Sequence, residues 1–199
     1  MRMLISAAAA LVIAGSAALA QQKAPQKAPE AVAFAKKVEN ANAFAIQSSE
    51  LAQERAQSSE VKAFAKQMVT DHTKVGEDFK SILQSANISP LPPQQPNARQ
   101  KAALLKLQKA PGPAFDRAYL SAQLSGHKQA VALLRKYAKS GRTPQFREFA
   151  QKTLPTMEQH LSEVADLSNR AVAAGKAPTG AGSRAIGPPA ERPSRGKRR

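Results

Sequence analysis

Apolar residues recur at three- and four-residue steps along four long stretches of the chain, the period of a helix that buries one face. The first stretch runs from about Glu30 to Gln57 and carries Val32, Phe34, Val38, Ala41, Ala45 and Leu51. The second opens at a capping serine, Ser58 or Ser59, and continues through Val61, Phe64, Ala65, Met68, Val75, Phe79, Ile82 and Leu83. The run from Asn87 to Pro96 ends it, because proline lacks a backbone donor and restricts the residue before it. A shorter helix is predicted inside this connection, from Ala98 to Gln108, with Pro111-Gly112-Pro113 as its stop. The third long stretch starts near Ala114 with Phe115, Tyr119, Leu120, Leu124, Val131, Leu134 and Tyr137. Gly141 then gives a helix terminus and Thr143-Pro144 a start for the fourth, which runs to about Ala173. Its apolar positions are Phe146, Phe149, Ala150, Leu154, Met157, Leu161, Val164 and Leu167, and Pro155 inside it predicts a kink or an interruption. No stretch alternates with the period of a strand. The expected fold is therefore all-α, an antiparallel four-helix bundle spanning residues 30–173, with a short helix in the Pro-rich connection between helices 2 and 3.

The two ends of the chain read differently. Residues 1–20 combine Arg2, an apolar run from Leu4 to Gly15 and small residues at Ala18 and Ala20, the three parts of a secretory signal peptide. The apolar run falls short of the roughly 20 residues that cross a bilayer, so cleavage after Ala20 is expected rather than anchoring. Residues 21–29 form an Ala/Pro/Lys linker. Net charge is +16, from 30 Lys and Arg against 14 Asp and Glu, and the excess gathers at the end. Arg184, Arg192, Arg195, Lys197, Arg198 and Arg199 stand among Gly187, Pro188, Pro189 and Pro193, which predicts a disordered basic tail over residues 174–199. For an exported protein the counter-surface is anionic lipid, lipopolysaccharide or another acidic envelope polymer, in the periplasm or at the outer membrane. Few aromatic platforms accompany the basic residues, which argues against nucleic acid as a partner. With no cysteine in the chain, thiolate metal sites and cysteine catalysis are excluded.

Candidate chemistry rests on three histidines. His72 follows Val61, Ala65 and Met68 and precedes Val75 and Phe79 on one stripe. His127 continues Leu120 and Leu124 toward Val131, and His160 lies between Met157 and Val164. All three imidazoles are predicted to point inward, each near the middle of its helix, and a bundle that superposes midpoints brings them to one level. Neutral imidazoles there are ligands for zinc, iron, copper or nickel. Asp71 and Asp116 are the carboxylates available to join His72, His127 and His160, or to satisfy their nitrogens in a purely structural network.

Phe64 through His72, Phe115 through Leu120, and Thr153 through Thr156 together with His160 resemble the bacterial family catalogued as domain of unknown function 4142. The resemblance extends over most of Phe34 to Leu167. It implies a ferritin-like fold and export, with no agreed activity. Two positions depart from the pattern: Ala45 stands where the family has a glutamate, and Gly126 where it has an acidic residue. A ferritin-like di-iron centre also needs Glu-x-x-His motifs, and the residues three before the histidines are Val69, Leu124 and Met157. A standard di-iron centre is therefore not expected. No phosphate loop, Gly-x-Ser-x-Gly elbow or His-Glu-x-x-His pair points to an enzyme. Two functions stay open: a non-enzymatic envelope protein with a binding, structural or stress role, or a metal-binding or redox protein with a histidine-rich core site.

Overall fold

The computed structural model describes residues 29–88 and 95–176; the expected signal peptide, all of the linker but Pro29, and the basic tail beyond Lys176 lie outside them. Five helices and no strand are present among the described residues: α1 (Pro29–Arg55), α2 (Ser59–Ser85), α3 (Ala98–Lys109), α4 (Gly112–Ser140) and α5 (Pro144–Lys176). They form a helical bundle in which α1 pairs with α2 and α4 with α5, while α1 also packs on α4 and α2 on α5. The short α3 lies against α1 and α4. No helix among the described residues is long and apolar enough to cross a membrane.

Local chemistry sets the ends of these helices. Ser58 caps α2 by accepting from the Val61 amide, and Asn97 with Gln100 forms a reciprocal capping box at the start of α3. Asn87 ends α2 in the left-handed region, φ 53°. Its amide bonds the Gln84 carbonyl while that of Ile88 bonds Leu83, a double closure that also buries Ile88. The stop expected at Pro111-Gly112-Pro113 is also a start. α4 begins at Gly112, whose φ of +40° a side chain would strain, with Pro113 in the first turn where no amide donor is needed. Pro155 does not interrupt α5, which runs through it unbroken. Both Pro155 and Gln151, whose carbonyl loses its intrahelical donor, are exposed, so water can hydrate that group. α5 also extends to Lys176, past the expected limit at Ala173.

The core falls into two apolar layers. One gathers Phe34, Phe79, Leu134, Tyr137, Phe146, Phe149 and Met157; the other gathers Ala52, Phe64, Met68, Phe115, Tyr119, Leu120 and Val164. On α2, His72 lies between Met68 of the second layer and Phe79 of the first. His127 is flanked in the same way by Leu120 and Val131, and His160 by Met157 and Val164. A polar level thus crosses the bundle where its apolar layers meet.

Candidate metal centre

Packing at this level buries the three histidines almost completely: His72 is 6% exposed, His127 3% and His160 0%. Their rings form a near-equilateral triangle, with centroids 5.5 Å apart for His72 and His127, 5.6 Å for His72 and His160, and 5.4 Å for His127 and His160. One nitrogen from each can be chosen so that all three lie within 4.8 Å of one another.

The partners of the remaining nitrogens decide what this triangle can do. His72 Nδ1 is 2.8 Å from Asn42 Oδ1, His127 Nδ1 is 3.0 Å from the Gln123 carbonyl, and His160 Nε2 is 2.9 Å from Asp71 Oδ2. Each of these oxygens can only accept, so each of these nitrogens carries a proton and donates it. In the neutral rings the lone pairs then fall on His72 Nε2, His127 Nε2 and His160 Nδ1. His160 Nδ1 is buried without any hydrogen-bond partner. His72 Nε2 and His127 Nε2 face each other at 3.4 Å. If His72 instead carried its proton on Nε2, its bare Nδ1 would oppose Asn42 Oδ1 at 2.8 Å, two acceptors in contact.

Protonation would relieve the crowding of lone pairs, but the surroundings oppose it. Burial lowers the pKa of His72 well below the usual histidine value, and the neighbouring His127 and His160 lower it further. Burial likewise brings His127 down to about 4, partly countered by the Gln123 carbonyl and assisted by His160. Neutral imidazoles with facing lone pairs are complementary to a cation. A tetrahedral metal with nitrogen ligands at about 2.0–2.1 Å sets those nitrogens roughly 3.3 Å apart, close to the separation of His72 and His127. A neutral, all-nitrogen donor set favours Zn(II), copper, Ni(II) or Fe(II), and a proton donated outward from each ring is the usual way such ligands are oriented.

The carboxylates expected to join the histidines stand elsewhere. Asp71 sits behind His160 as acceptor of its Nε2 proton, a supporting rather than a ligating place. Asp116 is buried at the α1–α2 turn, where its Oδ1 and Oδ2 accept from the Gln57 amide and Oδ2 from that of Ser58, at 2.8–3.2 Å. That replaces the expectation of Asp116 as a ligand: its carboxylate is committed to amides that the turn leaves without helical partners.

Asn42 and the Gln123 carbonyl are the supporting groups that sequence reasoning missed. Asn42 was detectable, since Val38, Asn42, Ala45, Ser49 and Ala52 form one inward stripe on α1 interrupted by polar residues. Ser49 belongs to a network beside the centre. Its hydroxyl is 2.8 Å from Tyr119 Oη, and Gln123 Nε2 donates to Ser48 and Ser49. His72 and His127 also line a cavity of about 680 Å3 between α1, α3 and α4, which includes Ala45 and Gly126. One side of the triangle is thereby accessible.

The sequence profile of the family described as Domain of unknown function (DUF4142) matches residues 16–167. No curated protein sequence is similar to the chain. Among solved structures, a DUF305 fragment from Deinococcus radiodurans is similar with a TM-score of 0.62 and 18% identity, over 73% of this chain and 99% of that one. At that identity the likeness is one of fold.

Proposed function

The chain belongs to the DUF4142 family, and we propose that it is a non-enzymatic metal-binding bundle protein that holds one borderline transition-metal ion on His72 Nε2, His127 Nε2 and His160 Nδ1. The observation carrying this reading is the set of three buried imidazoles, one nitrogen of each within 4.8 Å of the others, whose bonds to oxygen use up His72 Nδ1, His127 Nδ1 and His160 Nε2 and leave His72 Nε2, His127 Nε2 and His160 Nδ1 as the lone-pair donors. Three histidines leave a coordination position for an exogenous group, and the cavity beside His72 and His127 leads to it. A di-iron centre has no support in this donor set, because among the described residues no carboxylate joins the cluster of three histidine nitrogens to bridge two ions. A ferritin-like four-helix arrangement belongs to the same reading, supported by the pairing of α1 with α2 and α4 with α5 across a long connection.

Calorimetric titration of the untagged protein with Zn(II), beside elemental analysis of the protein as purified, tests the proposal. One equivalent should bind, and His127→Ala and His160→Ala should each abolish near-stoichiometric binding while far-UV circular dichroism stays helical. Failure of wild-type protein to bind Zn(II), Cu(II) or Fe(II), or near-stoichiometric binding retained by both variants, overturns it.

Export places the bundle in the periplasm or at the outer membrane, a reading supported by the signal-like residues 1–20. The basic residues from Arg184 to Arg199 would then rest on anionic lipid, lipopolysaccharide or another acidic polymer. Deletion of residues 187–199 should abolish sedimentation with anionic vesicles at low salt; unchanged sedimentation would remove the role of the tail.

A further inference from the structure

The cavity beside the histidines has a chemistry of its own. It is roofed by α3, a helix whose charged residues are all basic: Arg99, Lys101, Lys106 and Lys109. Arg55 of α1 fixes the end of that helix by donating to the carbonyls of Leu107, Gln108 and Ala110, and its guanidinium lies over the Phe115 ring. The roof is therefore held in place rather than merely adjacent. Phe44, Leu107 and Ala122 give the cavity apolar walls, whereas Lys37, Arg99 and Lys106 bring three cations to it and, among the described residues, no aspartate or glutamate lines it.

Three surface cations are held in ion pairs among the described residues, Arg135 with Glu158, Lys152 with Glu148 and Arg170 with Glu60. Lys37, Arg99 and Lys106 take part in no ion pair among the described residues. A volume of about 680 Å3 is that of a small-molecule site, too large for an ion alone. Apolar walls with a one-signed rim select a ligand with an apolar body and an anionic head.

We propose that this cavity binds a small amphipathic anion, its apolar body against Phe44, Leu107 and Ala122 and its carboxylate or comparable head at Lys37, Arg99 and Lys106. The site is built from α1, α3 and α4 and does not require a metal. Its floor reaches His72 and His127, so an occupant would cover the accessible side of the histidine triangle.

Fluorescence titration of the metal-free protein with 8-anilinonaphthalene-1-sulfonate, in EDTA and moderate salt, tests this site independently of metal binding. One saturable site is expected, with displacement by octanoate. Replacing Lys37, Arg99 and Lys106 together by glutamine should weaken binding about tenfold, the combined effect of three exposed ion pairs. Replacing Arg135, Lys152 and Arg170 together removes the same charge elsewhere and should leave binding unchanged. Ala122→Phe, which fills the cavity, should weaken binding while the helical signal persists. Equal weakening by the two triple variants would mean attraction to a +16 chain rather than a site, and overturns the proposal. So does unchanged binding in the Lys37, Arg99 and Lys106 triple variant. These surface substitutions do not depend on whether Ala122→Phe folds.

Discussion

Gly76 stands one helical turn beyond His72, against the Asn42 side chain, and Gly76→Ala tests whether that side chain positions the histidine. A Cβ at residue 76 would lie 2.8 Å from Asn42 Nδ2, where ordinary contact begins near 3.4 Å, so the amide must retreat by about 0.6 Å. The Asn42 side chain can swing, but only by giving up the 2.8 Å bond from His72 Nδ1. Two stability effects then oppose each other. Alanine in place of glycine within a helix gains about 1 kcal/mol. A buried imidazole N–H left without an acceptor costs about 1–3 kcal/mol. Metal-free stability should therefore change by anything from nothing to a loss of about 2 kcal/mol. Metal affinity has no such compensation and should fall about 10- to 100-fold, the usual effect of losing a group that orients a ligating histidine. Urea denaturation in EDTA and calorimetric titration with Zn(II) measure the two quantities separately. Asn42→Ala should reproduce the affinity loss, and the double variant should add little to either single one. Wild-type Zn(II) affinity in Gly76→Ala, together with a gain of about 1 kcal/mol in stability, would refute the claim that Asn42 orients His72.

Acid should destabilise the metal-free protein before its carboxylates titrate. The folded state holds His127 at about 4 and His72 well below its usual value, so both are neutral in folded and unfolded chains above pH 6.5. As pH falls below 6.5 the unfolded chain takes up protons that the folded one refuses; His127 removes about 2 kcal/mol by pH 5, and His72 adds to the loss in the same direction. The loss for His127 ends near pH 4, where the folded state protonates as well. Urea midpoints that stay flat between pH 7 and 5 would contradict this. Asp116→Ala should cost about 2 kcal/mol by releasing the amides of Gln57 and Ser58, yet leave Zn(II) affinity unchanged. A parallel fall in affinity would return Asp116 to the centre. Arg55→Ala should speed hydrogen exchange across residues 98–109 and lower global stability by about 1–2 kcal/mol, since α3 loses three carbonyl contacts. Unchanged exchange in α3 would show that its anchoring lies elsewhere.

Periodicity alone was sufficient for the helices and for the inward direction of His72, His127 and His160, because which face a residue takes depends only on 3.6 residues per turn. The same rule, applied to the polar positions of α1 as well, would have put Asn42 and Ser49 on its inward stripe, though without attaching a partner to them. It could not separate Asp71 from Asp116. Both are acidic, both lie close to a core stripe, and a short carboxylate turns to whichever donors the neighbouring helix presents. Only tertiary packing set Asp71 against His160 across α2 and α5, and Asp116 against the amides of a turn it meets nearly sixty residues away in the chain. Pro155 shows the limit in the other direction: its lost hydrogen bond was legible, but its exposed position, which lets α5 continue, was not. The sequence by itself therefore determined the helical stretches, their buried faces and the three candidate ligands. Tertiary structure decided the height at which those faces meet, hence which nitrogens converge, which oxygens hold them, and which cavity opens beside them. Height and partner depend on turns and helix crossings, interactions between residues far apart in the chain that no local period encodes.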